Sequence, residues 1–221
     1  GIRDSSVTGV QTCALPIFGY DVGTRATMTL GGLKYQMASH RSSHSIAGTF
    51  GSAAAAGCGA GLNAQQMRWV LDYAAQQASG IAAWQRDSEH IEKSQVFGGW
   101  PARNGVSAAL VIQIGGTGVD DIMTGSDNFI MAFNPNANPE TLIDQLGTRF
   151  EVSRTNIKKW TVGSPIQAPL DALELMRKKK PFDAAQVQKV VVRVAPNDAN
   201  TVNNRERSEE HTSELQSHLN L

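Results

Sequence analysis

Between positions 40 and 63 the chain reads HRSSHSIAGTFGSAAAAGCGAGLN, setting two imidazoles, one guanidinium and four serine hydroxyls against a run of Ala and Gly. Imidazole exchanges protons near neutral pH, hydroxyls donate and accept hydrogen bonds, and a guanidinium holds anions. A polar site that opens onto a close-packed helix has this composition. His40 and His44 are the proton-transfer candidates, and Ser42 and Ser45 are candidate substrate contacts. The alternative for His44 is a loop histidine that caps the helix after it. A second polar stretch, WQRDSEHIEKSQVFGGWP at 84–101, carries both signs of charge without hydrophobic periodicity. It reads as a loop over a site or over the surface. By its surroundings alone Lys93 within it reads as an ordinary solvated lysine.

Helices must position these groups. Small side chains let a helix approach its neighbours, but Gly57, Gly59 and Gly61 weaken an isolated helix by roughly 1 kcal/mol each relative to Ala. Tertiary packing therefore has to hold that helix, with Ser45 or Thr49 at its start. Upstream, 19–37 reads as a helix broken at Gly31 and Gly32. Asn63 with Gln66 three residues on is a capping-box pattern, and Met67, Val70, Leu71, Ala74, Ala75 and Ala78 follow at helical spacing. Further helices are expected over 106–114, 119–123 and 126–133, and after Asn138 with Pro139 at the first position. Beyond Gly147 the pattern changes. Residues 157–162 read as a short strand, Ser164 to Gln167 as a second capping box opening a helix that ends at the basic run Arg177 to Lys180, and 187–195 as another strand. Two strands are too few for a complete sheet.

Composition narrows the function classes. Twenty basic and twenty acidic residues and 41% hydrophobic content describe a chain with a real core and no polyanionic partner. The glycines at 57–61 are not followed by Lys-Ser or Lys-Thr, so they form no phosphate loop. The basic run lacks interleaved aromatics, which argues against nucleic acid, and one internal cysteine with scattered histidines has no metal spacing. No stretch reads as a signal peptide or a membrane span. Two terminal segments, VTGVQTCALPI at 7–17 and RSEEHTSELQSH at 207–218, read as the two strands of one translated sequencing adapter. They are set aside with Cys13, which leaves Cys58 as a small buried hydrophobe and the authentic chain about two charges positive.

The run SIAGTFGSAAAAGCGAGLNAQQM resembles the S-x-x-GTFG-AAAAAG-x-x-x-GL-x-x-x-Q signature of the MmgE/PrpD family, in order and without gaps. The resemblance implies a mainly α fold, with a helical domain followed by the beginning of a smaller α/β lid domain, truncated at both ends. On that reading 1–18 and 207–221 are adapter-derived, 19–150 belong to the helical domain, and 151–206 begin the lid. It implies a cofactor-independent lyase similar to 2-methylcitrate dehydratase, which eliminates water from a small polycarboxylate. Alternatives are a cis-aconitate-type decarboxylase, a dicarboxylate epimerase, or a catalytically inactive truncated product. A cytoplasmic homodimer is expected, with no cofactor, metal, nucleic-acid or membrane partner.

The resemblance also assigns residues. The family's histidine commonly lies six positions before the first glycine of GTFG, where this chain has Ser42; His44 lies four before it, so His44 or His40 takes the role. Lys93 matches the lysine of the T-K-x-L-H-x-G segment, which meets a substrate carboxylate, and beside it Arg86 and Arg103 are weaker carboxylate-binding candidates. The histidine of that segment is replaced by Val96 or Phe97. Trp160 and Gln167 stand where the family often has an aromatic and a histidine before the triplet Leu170-Asp171-Ala172.

Overall fold

The computed structural model describes residues 9–87 and 91–194. A first compact unit runs to Thr155 and a second begins at Asn156.

In the first unit α1 spans Gly9–Thr29 and α2 spans Gly32–Ser39, separated at Gly31, whose φ of 106° suits a residue without Cβ. Next come α3 (Ser43–Gly59) and α4 (Ala64–Gln77). A 3₁₀ turn over Ala82–Arg86 leads to α5 (Ile91–Ser94), and a π turn over Gln95–Gly99 runs straight into α6 (Trp100–Gln113). Two short helices, α7 (Phe129–Phe133) and α8 (Glu140–Ile143), and a 3₁₀ turn at Glu151–Arg154 complete it.

The small-residue helix α3 is the centre, packed against α1, α4 and α6. Its neighbours approach closely enough that a Cβ on Gly23 would lie 2.3 Å from the Ala47 carbonyl oxygen, and one on Gly105 would lie 2.4 Å from the Ala53 nitrogen. Ile46, Phe50 and Ala53 of α3 are wholly buried, and Leu30, Val70, Ala74, Ala108 and Ile112 close around them. Phe129 from α7 meets Phe50 edge to face at 4.8 Å. Arg25 is buried to 1% exposure inside this packing, paired with Asp21 at 2.8 Å one turn away.

Several boundaries differ from the sequence expectation. The cap of α3 is Ser42, which accepts from the Ser45 N–H at 3.3 Å, rather than Ser45 or Thr49. Within the polar stretch at 84–101, residues 84–86 and 91–101 are helical, because ties from Ser45 and Ser52 of α3 to the Val96 and Pro101 carbonyls replace the missing periodicity. Residues 119–123 form turns rather than a helix. α1 is continuous from Gly9 through residues set aside as non-structural. Extending a formed helix by one residue is far easier than nucleating one, whatever DNA encodes that residue. The capping box at Asn63 and Gln66 forms as read.

In the second unit α9 spans Ser164–Lys179 and ends on Arg177, Lys178 and Lys179, where cations suit the helix dipole. Gly163 stands at its N-cap without a side-chain bond, so the second capping box does not form. Gln167 instead accepts from the Trp160 N–H at 3.1 Å and donates to the carbonyls of Trp160 at 2.7 Å and Val162 at 3.1 Å. The Trp160 indole N–H donates to Asp171 at 3.1 Å. No strand is formed among the described residues: 157–162 bends, and 187–194 takes no regular structure, with Val190 73% exposed. Period-two alternation alone cannot make a strand without a neighbour to take its N–H and C=O groups. Ala195 and the 207–221 tail lie outside the described residues.

Candidate active site

Three segments far apart in sequence converge at the start of α3. Ser42 is fully buried, and its N–H donates to the Gly80 carbonyl at 3.0 Å. The Ser45 hydroxyl lies 2.9 Å from Ser42 Oγ and donates to the Val96 carbonyl at 2.8 Å, which ties the π turn to α3. Gly80 has φ 105°, and a Cβ there would fall 2.5 Å from Ser45 Oγ, so only glycine lets the chain pass over the serines. The Ala82 N–H then donates to the His40 carbonyl at 2.8 Å, and Arg41 and Ile81 form an isolated antiparallel bridge.

These ties bring Trp84 and Phe97 to His44. The His44 imidazole stacks on Phe97 with centroids 4.2 Å apart and planes within 5°, and meets Trp84 edge-on at 5.9 Å. Trp84 and Phe97 touch each other at 4.5 Å. Lys93 places its ammonium 5.7 Å from the Phe97 centroid and 6.0 Å from that of Trp84, at the outer reach of cation–π attraction. His44 keeps an exposed edge while Trp84, Lys93 and Phe97 are half-buried. Burial against the rings, and secondarily the Lys93 charge, hold the imidazole pKa below its ordinary 6.5. His44 is therefore neutral at pH 7, with a ring nitrogen able to take a proton. Lys93 supplies positive charge beside it.

A cavity of about 280 Å³ adjoins this junction, lined by Ser45, Thr49, Glu92, Val96, Trp100 and Asn104 among others.

The remaining sequence candidates fall differently. His40 is exposed in the left-handed conformation, φ 59°, and contributes its backbone carbonyl. Ser42 and Ser45 cap and tie the helix start, although Ser45 also lines the cavity. Arg86 is exposed at the end of the 3₁₀ turn. The exposed Arg103 donates from Nε and Nη2 to Asn104 Oδ1 at 3.3 and 3.2 Å. His90 lies outside the described residues. Cys58 is exposed, not buried, because it sits near the end of α3 away from the core. Trp84 was not foreseen as a neighbour of His44; its signal was an aromatic ring inside a charged stretch without period. No group of His, Cys, Asp and Glu able to hold a metal occurs among the described residues. Among the described residues no helix is long and apolar enough to cross a membrane.

A stability measurement tests the environment of His44. A folded-state pKa below the unfolded one means that the unfolded chain binds the proton more readily. The contribution of His44 is then fully present above pH 6.5 and is lost as pH falls through 6.5 toward the folded value. Thermal midpoints taken at pH 7.5 and 5.5 should fall further for the wild type than for His44→Gln. Equal falls would show that the ring is not desolvated.

The MmgE/PrpD N-terminal domain matches residues 12–142, more than half of the chain. The chain belongs to the MmgE/PrpD family, whose enzymes are of lyase type. Among curated proteins no match was found.

Proposed function

We infer that the chain carries part of a lyase site acting on a small polycarboxylate, by proton abstraction next to a carboxylate and loss of hydroxide as water. His44 takes the proton as the base and, as imidazolium, returns it to the departing hydroxyl, which leaves as water; Lys93 holds the carboxylate whose charge grows as the proton leaves. The observation that carries this reading is the meeting of a neutral imidazole with an ammonium across Trp84 and Phe97, from segments 49 residues apart. In this reading residues 151–206 begin a smaller lid domain, the active form is a homodimer, and the compartment is the cytoplasm. No cofactor is required, since imidazole and ammonium supply both the proton acceptor and the charge.

Proton NMR of the 221-residue chain incubated with 2-methylcitrate and with cis-aconitate in D₂O tests the reading. Dehydration, decarboxylation and epimerisation are told apart by the appearance of an alkene, by loss of carbon dioxide, or by deuterium entry with inversion. The expected result is dehydration of 2-methylcitrate, lowered about 100-fold in Lys93→Ala, as for removal of one charge-stabilising group. Neither turnover nor deuterium entry with either compound would overturn it.

A further inference from the structure

A second cavity, of about 400 Å³, lies in the first unit between α2 and the end of α7, and is built from none of the residues assigned to the lyase site. Its walls are apolar at Leu30, Ala38 and Phe133, and Lys34, Tyr35 and Ser39 also line it. The guanidinium carbon of the half-buried Arg41 stands 4.3 Å from the centroid of the Phe133 ring, which brings a further cation to this wall. Among the described residues neither the Lys34 ammonium nor the Arg41 guanidinium meets a carboxylate, and no acidic residue lines the cavity. Tyr35 is 6% exposed, yet no hydrogen bond reaches its hydroxyl. The Ser39 hydroxyl is committed to the Tyr35 backbone carbonyl at 2.7 Å. A hydroxyl kept from bulk water and unmatched within the fold is unfavourable unless an occupant of the cavity supplies the acceptor.

Unpaired positive charge, an unused donor and apolar walls meet here. We propose that this cavity is a binding site for an organic oxyanion, a carboxylate or phosphate carried on a small apolar body. The oxyanion meets the Arg41 and Lys34 side chains and accepts from the Tyr35 hydroxyl, while the apolar body lies against Leu30, Ala38 and Phe133. A guanidinium offers paired N–H donors that fit either oxyanion. The site stands apart from the reading of His44 and Lys93, and its ligand need not be the molecule turned over there.

Phenylacetate, phenyl phosphate and the neutral benzyl alcohol are suitable probes, because they share a ring and differ in the group that the cations would hold. Their affinities for the 221-residue chain are measured by titration calorimetry, and the bound position by NMR of the chain isotope-labelled in its tyrosine rings, with Tyr35 assigned by its loss in Tyr35→Phe. Both anions should shift the Tyr35 signal and bind at least about 10-fold more tightly than the alcohol, the order of one charged hydrogen bond, and the tighter anion names the source of the oxyanion. Arg41→Gln should weaken the anions about 10-fold and Tyr35→Phe about 5-fold, whereas Lys93→Ala should leave them unchanged. Tyr35→Phe should also melt no lower than the wild type by circular dichroism, since no bond within the fold is lost. The same melts show that each variant is folded, and Tyr35→Phe decides the matter if Arg41→Gln is not. Absence of binding, alcohol bound as tightly as the anions, or affinities untouched by every folded variant of Arg41 and Tyr35 would overturn the proposal. So would a Tyr35→Phe chain that melts several degrees lower, which places the hydroxyl in a bond of the fold, or equal weakening in Lys93→Ala, which places the anions beside His44. None of these measurements reads turnover, so the lyase reading stands or falls separately.

Discussion

Arg25→Ala should lower the free energy of unfolding by about 3–5 kcal/mol, the range for removing one partner from a buried ion pair. The Arg25 guanidinium bonds through all three of its nitrogens: Nε donates to Asp21 at 2.8 Å, Nη1 to the Asp144 carbonyl at 2.7 Å, and Nη2 to the Arg149 carbonyl at 2.8 Å. Asp21 in turn accepts from the Glu151 N–H at 3.0 Å, and Glu151 holds Arg149 at 2.7 Å and Arg154 at 3.2 Å. Deleting the guanidinium strands a buried carboxylate and two carbonyls at once. Urea unfolding of Arg25→Ala is the direct measurement. The double variant Asp21→Leu with Arg25→Met should recover a large part of the loss, because it removes the desolvated charges together and refills the volume. Loss below 1 kcal/mol in Arg25→Ala would show that water reaches the pair.

Gly105→Ala is expected to cost about 3 kcal/mol, the upper part of the range for overpacking. A methyl there would lie 1.9 Å from Ser52 Oγ, 2.4 Å from the Ala53 nitrogen and 2.7 Å from the Thr49 carbonyl oxygen. Ser52 cannot simply rotate away without losing its donation to the Pro101 carbonyl at 2.9 Å, and the other two atoms are backbone. The axes of α3 and α6 must separate, loosening the contacts of Ala53, Ala108 and Ile112 between them. In an isolated helix the same change stabilises by roughly 1 kcal/mol. The sign measured by urea unfolding therefore decides whether packing or propensity rules this position.

The fold was legible where its physics is local. The Asn63 box, the break at Gly31 and the close approach along α3 all depend on residues within a few positions or on side-chain size. Misreadings occurred where the partner is distant. Gln167 reads as part of a helix cap, yet the Trp160 backbone competes for it and wins. Residues 157–162 and 187–195 read as strands, but pairing is a property of two segments and neither segment is paired among the described residues. The stretch at 84–101 lacks a period because its helical turns are held by the serines of α3, not by an apolar stripe.

His44 could be named as a proton-transfer candidate from its type and surroundings in the sequence, and Lys93 from its match to the family's lysine segment, because ionisable chemistry belongs to the side chain itself. Only the tertiary structure decided that they share Trp84 and Phe97, that Ser42 and Ser45 brace the turn, and that His40 offers a carbonyl instead of a ring. A side chain's own chemistry is written in one residue, whereas its pKa and its partners are set by which segments the core brings together.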